Sequence, residues 1–274
     1  MKISHLGPTG TYTEAAARLY SDIAELITYP TVPEVIQSVI TDDTDLAVCA
    51  FENSIAGTVS IETIDLLLKP DFPLKIYGEI VLKIQHGLIA KAGTAIESIQ
   101  TVYSHPSALA QCRTTLQRIL PNAAQVALSS TTAAVEAAMT NDVGAAIGGS
   151  TAAEQYDASI LLHDIGDEQQ NATRFLVLSK QTILPTGDDK TTLVFTTSDA
   201  EESGSLVKVL QLFAERKINL SRIESRPTRQ QLGTYVFSID IHGHEKDEDV
   251  SQALAEISKH TSWVNVLGSY PRWT

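Results

Sequence analysis

Cysteine, which could form disulfides or bind metal ions, is scarce in this sequence. Its 274 residues include only two cysteines, Cys49 and Cys112, and both lie within apolar segments. Neither has a second cysteine or a histidine at the spacing that metal sites use. We therefore expect no disulfide framework and no metal site, with both thiols buried as small apolar side chains.

Positive charge and long apolar runs are also scarce. There are 20 Lys and Arg residues against 33 Asp and Glu residues, which gives a formal net charge of −13. Nucleic acids and anionic membranes both require basic patches, so the charge argues against either partner. No run approaches the ~18 apolar residues of a membrane span. The first residues, Met1 to His5, turn polar too early for a secretory signal, so we predict a cytoplasmic protein.

The fingerprints of nucleotide and hydrolase sites are missing as well. The segment Gly7-Pro8-Thr9-Gly10-Thr11 follows the first predicted strand, but its spacing is neither the dinucleotide fingerprint nor the Walker loop. No Gly-x-Ser-x-Gly nucleophile elbow occurs. The segment is compatible with an anion site at a helix N-terminus and equally with a plain tight turn. Nothing in the sequence calls for a cofactor.

The first 180 residues alternate between predicted strands and helices, which is typical of an α/β fold with mainly parallel strands. A helix is predicted from the apolar spacing of Val32, Val35, Ile36 and Val39, with Pro33 suited to its first turn. The predicted strands are Lys2–Leu6, Asp45–Phe51, Ile76–Ile89, Thr101–Tyr103, Gln125–Leu128, Val143–Ile147 and Phe175–Leu178.

The pattern changes after the segment Leu184 to Asp189, whose Pro, Gly and paired Asp residues predict a linker. Beyond it the order is strand, helix, strand, strand, helix, strand, which is the ferredoxin-like βαββαβ motif. Its predicted strands are Thr191–Thr197, Asn219–Ser225, Tyr235–His242 and Val264–Leu267. A length of 274 residues also favours two domains.

Polar side chains follow several of the predicted strands, where ligands of open α/β sheets collect. Thr173 and Arg174 pair a possible proton donor with a possible carboxylate clamp, because Arg can bind a carboxylate through two parallel hydrogen bonds. Each cluster alone also fits a structural role, such as a helix cap or a surface Arg. The other clusters are Glu52-Asn53-Ser54, Ser104-His105-Pro106 with Gln111, and, in the C-terminal part, Gly204-Ser205-Leu206 with Glu224-Ser225-Arg226-Pro227.

Taken together and in this order, the clusters resemble one family, the prephenate dehydratases of phenylalanine biosynthesis. The C-terminal part looks like the ACT domain by which such enzymes sense phenylalanine. Departures from the usual family motifs are Ala50, Ser107 and the pair Tyr12-Thr13. The motifs that carry the resemblance are Gly7-Pro8-x-Gly10-Thr11, Glu52-Asn53-Ser54 with Gly57, Ser104-His105-Pro106 with Ala108 to Cys112, Asn171-x-Thr173-Arg174-Phe175, Gly204-x-Leu206, Ile218-Asn219-Leu220, Ile223 to Pro227 and Leu267 to Pro271.

The resemblance implies a two-lobed catalytic domain, similar to type-2 periplasmic binding proteins, followed by a ferredoxin-like ACT domain. We expect the catalytic domain at 1–182, with lobe one at 1–75 plus 173–182 and lobe two at 76–172, and the ACT domain at 190–274. The implied reaction converts prephenate to phenylpyruvate, carbon dioxide and water, without a cofactor. In it Thr173 is the proton donor. The residues expected to bind substrate are Arg174, Phe175, Glu52, Asn53, Ser54, Ser104, Gln111, Gly10 and Thr11.

The resemblance also implies phenylalanine as an allosteric effector and self-association into a dimer or tetramer. Two alternatives stay open: arogenate dehydratase, with the same chemistry on an amino analogue, and a non-catalytic small-molecule sensor. A bifunctional chorismate mutase–dehydratase is disfavoured, because the sequence begins directly at the first strand. The expected phenylalanine-binding residues are Gly204, Ser205, Leu206, Asn219, Leu220, Glu224, Ser225, Arg226 and Pro227.

Overall fold

The computed structural model describes residues 1–197, 203–229 and 233–273. The strands are β1 (Lys2–Leu6), β2 (Glu25–Tyr29), β3 (Leu46–Asn53), β4 (Gly57–Thr58), β5 (Lys75–Lys83), β6 (Gly87–Ala90), β7 (Thr101–Ser104), β8 (Ala124–Ala127), β9 (Gly144–Gly148), β10 (Ser159–Leu162), β11 (Ala172–Ser179), β12 (Asp189–Thr197), β13 (Leu220–Pro227), β14 (Tyr235–His242) and β15 (Thr261–Pro271). The helices are α1 (Tyr12–Tyr20), α2 (Val32–Ile40), α3 (Ile61–Leu67), α4 (Pro106–Gln111), α5 (Arg113–Ile119), α6 (Thr131–Met139), α7 (Ser150–Gln155), α8 (Ser205–Glu215) and α9 (Glu248–Ile257).

The chain divides into two units, each made of two stretches. The first unit contains Met1–Ser60 and Ile80–Phe175, and the second contains Ile61–Glu79 and Leu176–Thr274. Strands β5 and β11 each run from one unit into the other. The domain and lobe boundaries proposed from the sequence stay predictions.

One sheet of the first unit has the strand order β2-β1-β3-β11-β5, with the short β4 paired to β3. Strand β1 runs parallel to both β2 and β3. Helix α2 forms as its apolar spacing predicts, because its apolar side chains are buried while Thr31 caps its N-terminus.

The second sheet of this unit has the order β10-β6-β9-β7-β8. Strand β7 is parallel to β8 and β9, whereas β6 is antiparallel to β9 and β10. The sheet is therefore mixed, where the sequence predicted mainly parallel pairing. Cys112 is fully buried in the core beside this sheet, and Cys49 is buried as well. Burial raises the pKa of both thiols to about 12, so the expectation of two buried neutral cysteines is confirmed.

The predicted single strand Ile76–Ile89 is wrong. Strand β5 ends at Lys83 and β6 begins at Gly87, so Ile84, Gln85 and His86 form a connection between the two sheets. The Ile84 N–H donates to Asn171 O (2.8 Å), and the His86 carbonyl accepts from the Ile165 N–H (2.8 Å). These long-range bonds redirect the chain, and no local signal marks the break. Strands β2 and β10 were not predicted either.

The second unit contains the predicted βαββαβ motif, which is confirmed. Its four-stranded antiparallel sheet has the order β13-β14-β12-β15, and α8 and α9 pack on one core with it. Residues Ile61–Glu79 belong to this unit and contact its strands closely. A Cβ at Gly268 would lie 2.2 Å from the carbonyl oxygen of Ile76, and Lys190 forms a buried ion pair with Glu79 (2.8 Å).

Across the described parts of the chain, no helix is long and apolar enough to cross a membrane.

Candidate active site

A cleft of about 320 Å³ opens in the first unit. Elements of both of its sheets contribute to the lining, including the ends of β3 and β11, the β5–β6 connection and the first turns of α1, α4 and α6. The lining residues are Tyr12, Thr13, Ala50, Asn53, Ala56, Thr58, Val59, Ile84, His86, His105, Ser107, Ala108, Gln111, Ser129, Ser130, Thr131, Thr173 and Phe175.

Thr173 lies on β11 with its hydroxyl held by Asn53. The Nδ2 group of Asn53 donates to Thr173 Oγ1 (3.0 Å), and both side chains are buried. The orientation of the Asn53 amide is fixed, because its Oδ1 accepts from the backbone N–H groups of Ile55 (3.0 Å) and Ala56 (2.8 Å). Thr173 Oγ1 therefore accepts from Asn53 and keeps its own proton for another partner.

The hydrogen bonds continue from Asn53 to the end of α4 and to the β5–β6 connection. Asn53 Nδ2 also donates to Asn171 Oδ1 (2.7 Å), and Asn171 Nδ2 donates to Gln111 Oε1 (3.0 Å). His86 Nε2 lies 2.8 Å from the same oxygen of Gln111. Burial lowers the pKa of His86, which favours the neutral ring. One buried chain of side chains thus connects His86 with Thr173.

Arg174 lies next to Thr173 in sequence but is not part of the cleft lining. Side chains alternate along a strand, so Thr173 and Phe175 share one face of β11 and Arg174 takes the other. The Arg174 guanidinium pairs with Glu52 (3.4 Å) and lies over the Phe51 ring, 5.4 Å from its centroid. The structure does not bring Arg174 or Glu52 into the lining, and the carboxylate clamp assigned to Arg174 stays a prediction that this geometry does not favour.

The other predicted site residues divide between the cleft and its supports. Gln111 and Phe175 line the cleft, whereas Ser104 is buried and donates to Ile147 O (2.8 Å). Ser54 donates to Gln170 O (2.8 Å) and accepts from the Ala172 N–H (3.0 Å), so it holds the loop before β11.

The predicted glycine turn supports the first helix of the cleft. Gly10 has a left-handed φ of 85°, and its N–H donates to Glu14 Oε2 (2.6 Å). Thr11 caps α1 by accepting from the Glu14 N–H (3.3 Å). Both residues set the position of the α1 N-terminus, and the next two residues, Tyr12 and Thr13, line the cleft.

Several lining residues have no counterpart among the sequence-based predictions. They are His86, Tyr12 and the hydroxyl run Ser129-Ser130-Thr131 at the start of α6. The hydroxyl run carried a usable signal, because a Ser-Thr cluster before a helix predicts an N-cap, and Ser130 does cap α6. His86 carried none, since a lone His inside an apparently continuous strand is usually structural.

The predicted phenylalanine-binding residues lie in the second unit at the start of α8 and along β13. Gly204 precedes α8 with a φ of 84°, and Ser205 and Leu206 form its first turn. Asn219 directly precedes β13, whose edge carries Glu224 in ion pairs with Arg222 and with Arg226 (2.8 Å). Leu220, Ser225 and Pro227 lie on the same strand.

In the parts of the chain that the structure describes, no group of three or more His, Cys, Asp or Glu side chains could hold a metal ion.

The fold defines a class: an α/β domain built on two sheets, followed by a ferredoxin-like domain. The family model for prephenate dehydratase matches residues 3–183, and that for the ACT domain matches residues 194–259. The chain belongs to the prephenate dehydratase family and carries a C-terminal ACT domain. It is therefore a dehydratase, as the sequence predicted.

Curated relatives cover nearly the whole chain. It is 40% identical over 273 residues to the bifunctional chorismate mutase/prephenate dehydratase of Aquifex aeolicus, covering 99% of this chain and 74% of the relative. It is 37% identical over 270 residues to the prephenate dehydratase of Methanocaldococcus jannaschii, covering 96% of each. The arogenate dehydratase 1 of Petunia hybrida is 37% identical over 289 residues, covering 99% of this chain and 67% of the relative.

Two solved structures are similar over almost their full length. The prephenate dehydratase of Arthrobacter aurescens in complex with L-Phe has a TM-score of 0.90 at 38% identity, covering 99% of this chain and 90% of that one. A quorum-quenching acylase has a TM-score of 0.88 at 27% identity, covering 100% and 98%. Since one fold can host several activities, the function has to be argued from the cleft.

Proposed function

We propose that the chain catalyses the decarboxylating dehydration of prephenate to phenylpyruvate, in phenylalanine biosynthesis, with Thr173 as the proton donor. The observation that carries this proposal is the bond from Asn53 to Thr173. Because Thr173 Oγ1 accepts that bond in the cleft wall, its own proton is available to a ligand. Membership of the family indicates which reaction to expect, and the Thr173 hydroxyl in the cleft wall is a group that can assist it.

The reaction requires a proton at one atom, the oxygen of the departing ring hydroxyl. The C–C bond to the ring carboxylate breaks and its electron pair enters the ring, while the C–O bond breaks and the ring hydroxyl departs. Formation of the aromatic ring drives both steps. Thr173 gives its proton to the departing hydroxide, which leaves as water, and then regains a proton from solvent. Since threonine is a weak acid, the Asn53 N–H has to stabilise the oxygen of Thr173 as its proton leaves.

The two substrate carboxylates need positive groups, and among the residues that the structure describes, the lining contains neither Lys nor Arg. It does contain the first turns of two nine-residue helices, with Tyr12 and Thr13 on α1 and Ser130 and Thr131 on α6. Helix N-termini present unpaired N–H groups and a positive dipole end. We propose that these two turns bind the carboxylates, and that Arg174 acts from behind β11 by holding Glu52.

The test of this function is a comparison of two substrates. Purified protein should turn over prephenate to phenylpyruvate, followed by the absorbance of the product. Arogenate, which carries an amino group where prephenate has a keto group, should react with a lower kcat/KM. A higher kcat/KM for arogenate would make the chain an arogenate dehydratase, and turnover of neither substrate would contradict both assignments.

We propose further that phenylalanine binds in the ACT domain and that the chain acts in the cytoplasm as a dimer or tetramer. The start of α8 offers backbone N–H groups to a carboxylate, and Glu224 on β13 offers a carboxylate to an ammonium group. ACT domains that pair side by side would place such sites at shared edges, and β13 is an edge strand. Inhibition then requires that phenylalanine bind the less active state more tightly.

The Gly204→Ala variant should respond less to phenylalanine while keeping its uninhibited rate. Gly204 has a left-handed φ of 84°, which Ala adopts only with strain, so the first turn of α8 should shift. We expect a higher phenylalanine concentration for half-inhibition, measured with full-length protein whose oligomeric state is checked by light scattering. Ala at Gly93, which also has a positive φ but lies outside this domain, is the matched control. An unchanged phenylalanine response in Gly204→Ala would place the effector elsewhere.

The full chain is needed for this test. Residues Ile61–Glu79 pack against β12 and β15, as the Lys190–Glu79 pair and the close approach of Gly268 to Ile76 show. Removal of the sequence after Thr186 would strip these residues of their partners. A change in activity of such a truncated protein would report on folding as well as on regulation.

A further inference from the structure

The donor and acceptor of each hydrogen bond between His86 and Thr173 can be assigned, because backbone N–H groups fix the first of them. These bonds start at Asn53, whose Oδ1 must face the N–H groups of Ile55 and Ala56, because two donors require an acceptor. The Nδ2 group of Asn53 therefore faces three acceptor oxygens: Asn171 Oδ1 (2.7 Å), Thr173 Oγ1 (3.0 Å) and Ala172 O (3.1 Å).

The same reasoning extends from Asn171 to Gln111 and His86. Because Asn171 Oδ1 accepts, its Nδ2 is the side that donates to Gln111, and Gln111 Oε1 is the acceptor. His86 Nε2 lies 2.8 Å from that oxygen, so it has to carry a proton, since two lone pairs at this distance would repel. The order of donors and acceptors thus places a proton on Nε2 of His86.

The surroundings of His86 hold the ring in one orientation. His86 is buried, and burial lowers its pKa. On the other side of the ring, the Tyr12 hydroxyl donates to Gln85 O (2.8 Å), and its oxygen lies 3.2 Å from Nδ1. The Tyr12 ring also packs edge-on against His86, with centroids 5.9 Å apart. These contacts fix the ring plane and aim Nε2 at Gln111.

We propose that His86 is a positioning residue for the reaction, acting through Gln111, Asn171 and Asn53 on the hydroxyl of Thr173. Its Nε2–H and the Nδ2 group of Asn171 both bind Gln111 Oε1, so the amide NH₂ of Gln111 lies on the opposite side of its side chain, where it can bind the substrate. The bond from His86 to Gln111 also keeps Asn171 in place, so that Asn53 has to direct its N–H to Thr173. This inference rests on the proposed function, because it concerns the proton donor of that reaction.

The test compares two amides at position 86. In His86→Gln the side-chain NH₂ can occupy the position of Nε2 and donate to Gln111, whereas in His86→Asn it reaches only the position of Nδ1. We expect His86→Asn and His86→Leu to lower kcat for prephenate roughly 10- to 100-fold, the scale of a catalytic group misplaced by about 1 Å. KM should change far less, and His86→Gln should retain most of kcat.

The control is a second buried histidine in the same unit. His5 lies on β1, near Thr28, and contacts no member of the hydrogen-bond chain. His5→Leu should lower the melting temperature about as much as His86→Leu does, with kcat preserved. This separates loss of a buried histidine from loss of the bond to Gln111.

Two results would overturn the inference. One is a folded His86→Leu protein with wild-type kcat, and the other is a His86→Gln protein as impaired as His86→Asn. Either result, combined with a large loss in Thr173→Ala, would reject the role of His86 while the proposed function stands. Wild-type turnover in Thr173→Ala would reject the proton-donor assignment itself.

Discussion

Replacement of Thr173 by Ala should lower kcat for prephenate roughly 100- to 10,000-fold, the usual worth of proton transfer by a positioned side chain. The reason is that Thr173 lines the cleft and its Oγ1 accepts from Asn53, so we expect its proton to go to the leaving hydroxide. KM should change little, because the bond to the leaving group strengthens only in the transition state. Steady-state kinetics with prephenate measure both quantities.

Two further substitutions at Thr173 separate the hydroxyl from the shape of the side chain. Val keeps the branched shape and removes the hydroxyl, so Thr173→Val should be as slow as Thr173→Ala. Ser keeps the hydroxyl and removes a methyl group, so Thr173→Ser should retain a substantial part of kcat. A Thr173→Val protein as fast as wild type would show that Thr173 packs in the wall without giving a proton. The melting temperature of each variant checks that the unit stays folded.

Local sequence patterns predicted the helices and strands whose formation depends mainly on their own side chains. Helix α2 has an apolar stripe, a Thr cap and a Pro in its first turn, and the structure has all three. The βαββαβ order of the second unit was predicted for the same reason. Strands β5 and β6 were merged, because the break at Ile84 to His86 depends on backbone bonds to Asn171 and Ile165, which are far away in sequence.

The candidate site was predicted in part. Four predicted residues line the cleft: Asn53 at the end of β3, Thr173 and Phe175 in the first half of β11, and Gln111 at the end of α4. Arg174 was assigned to the same site, although strand alternation already places it on the opposite face from Thr173.

The role of His86 could not be predicted from the sequence, for a different reason. Its partners, Gln111 and Tyr12, are 25 and 74 residues away along the chain. The direction of the hydrogen bonds depends on the backbone N–H groups that face Asn53. A proton position that depends on contacts between residues far apart in the sequence cannot be predicted from any short motif.

Replacement of Asn53 by Ala should lower kcat roughly 100- to 1,000-fold, as expected when one preorganised donor to a developing negative charge is lost. Asn53 Nδ2 supports the oxygen of Thr173 as its proton leaves, and it also holds Asn171 (2.7 Å). Asn53→Asp is nearly isosteric but places an oxygen opposite the acceptors of Thr173 and Asn171. It should therefore be at least as slow as Asn53→Ala and less stable to heat.

The double variant Asn53→Ala with Thr173→Ala tests whether both residues act on one proton. If Asn53 works through Thr173, its loss should matter little once the hydroxyl is gone, so the double variant should be about as slow as Thr173→Ala alone. If the double variant instead lowered kcat by the product of the two single-variant factors, Asn53 would act on the substrate directly. The comparison needs kcat under saturating prephenate, because Asn53 lines the cleft and its removal also changes KM. Non-additive losses would identify the Asn53–Thr173 bond as the unit that delivers the proton.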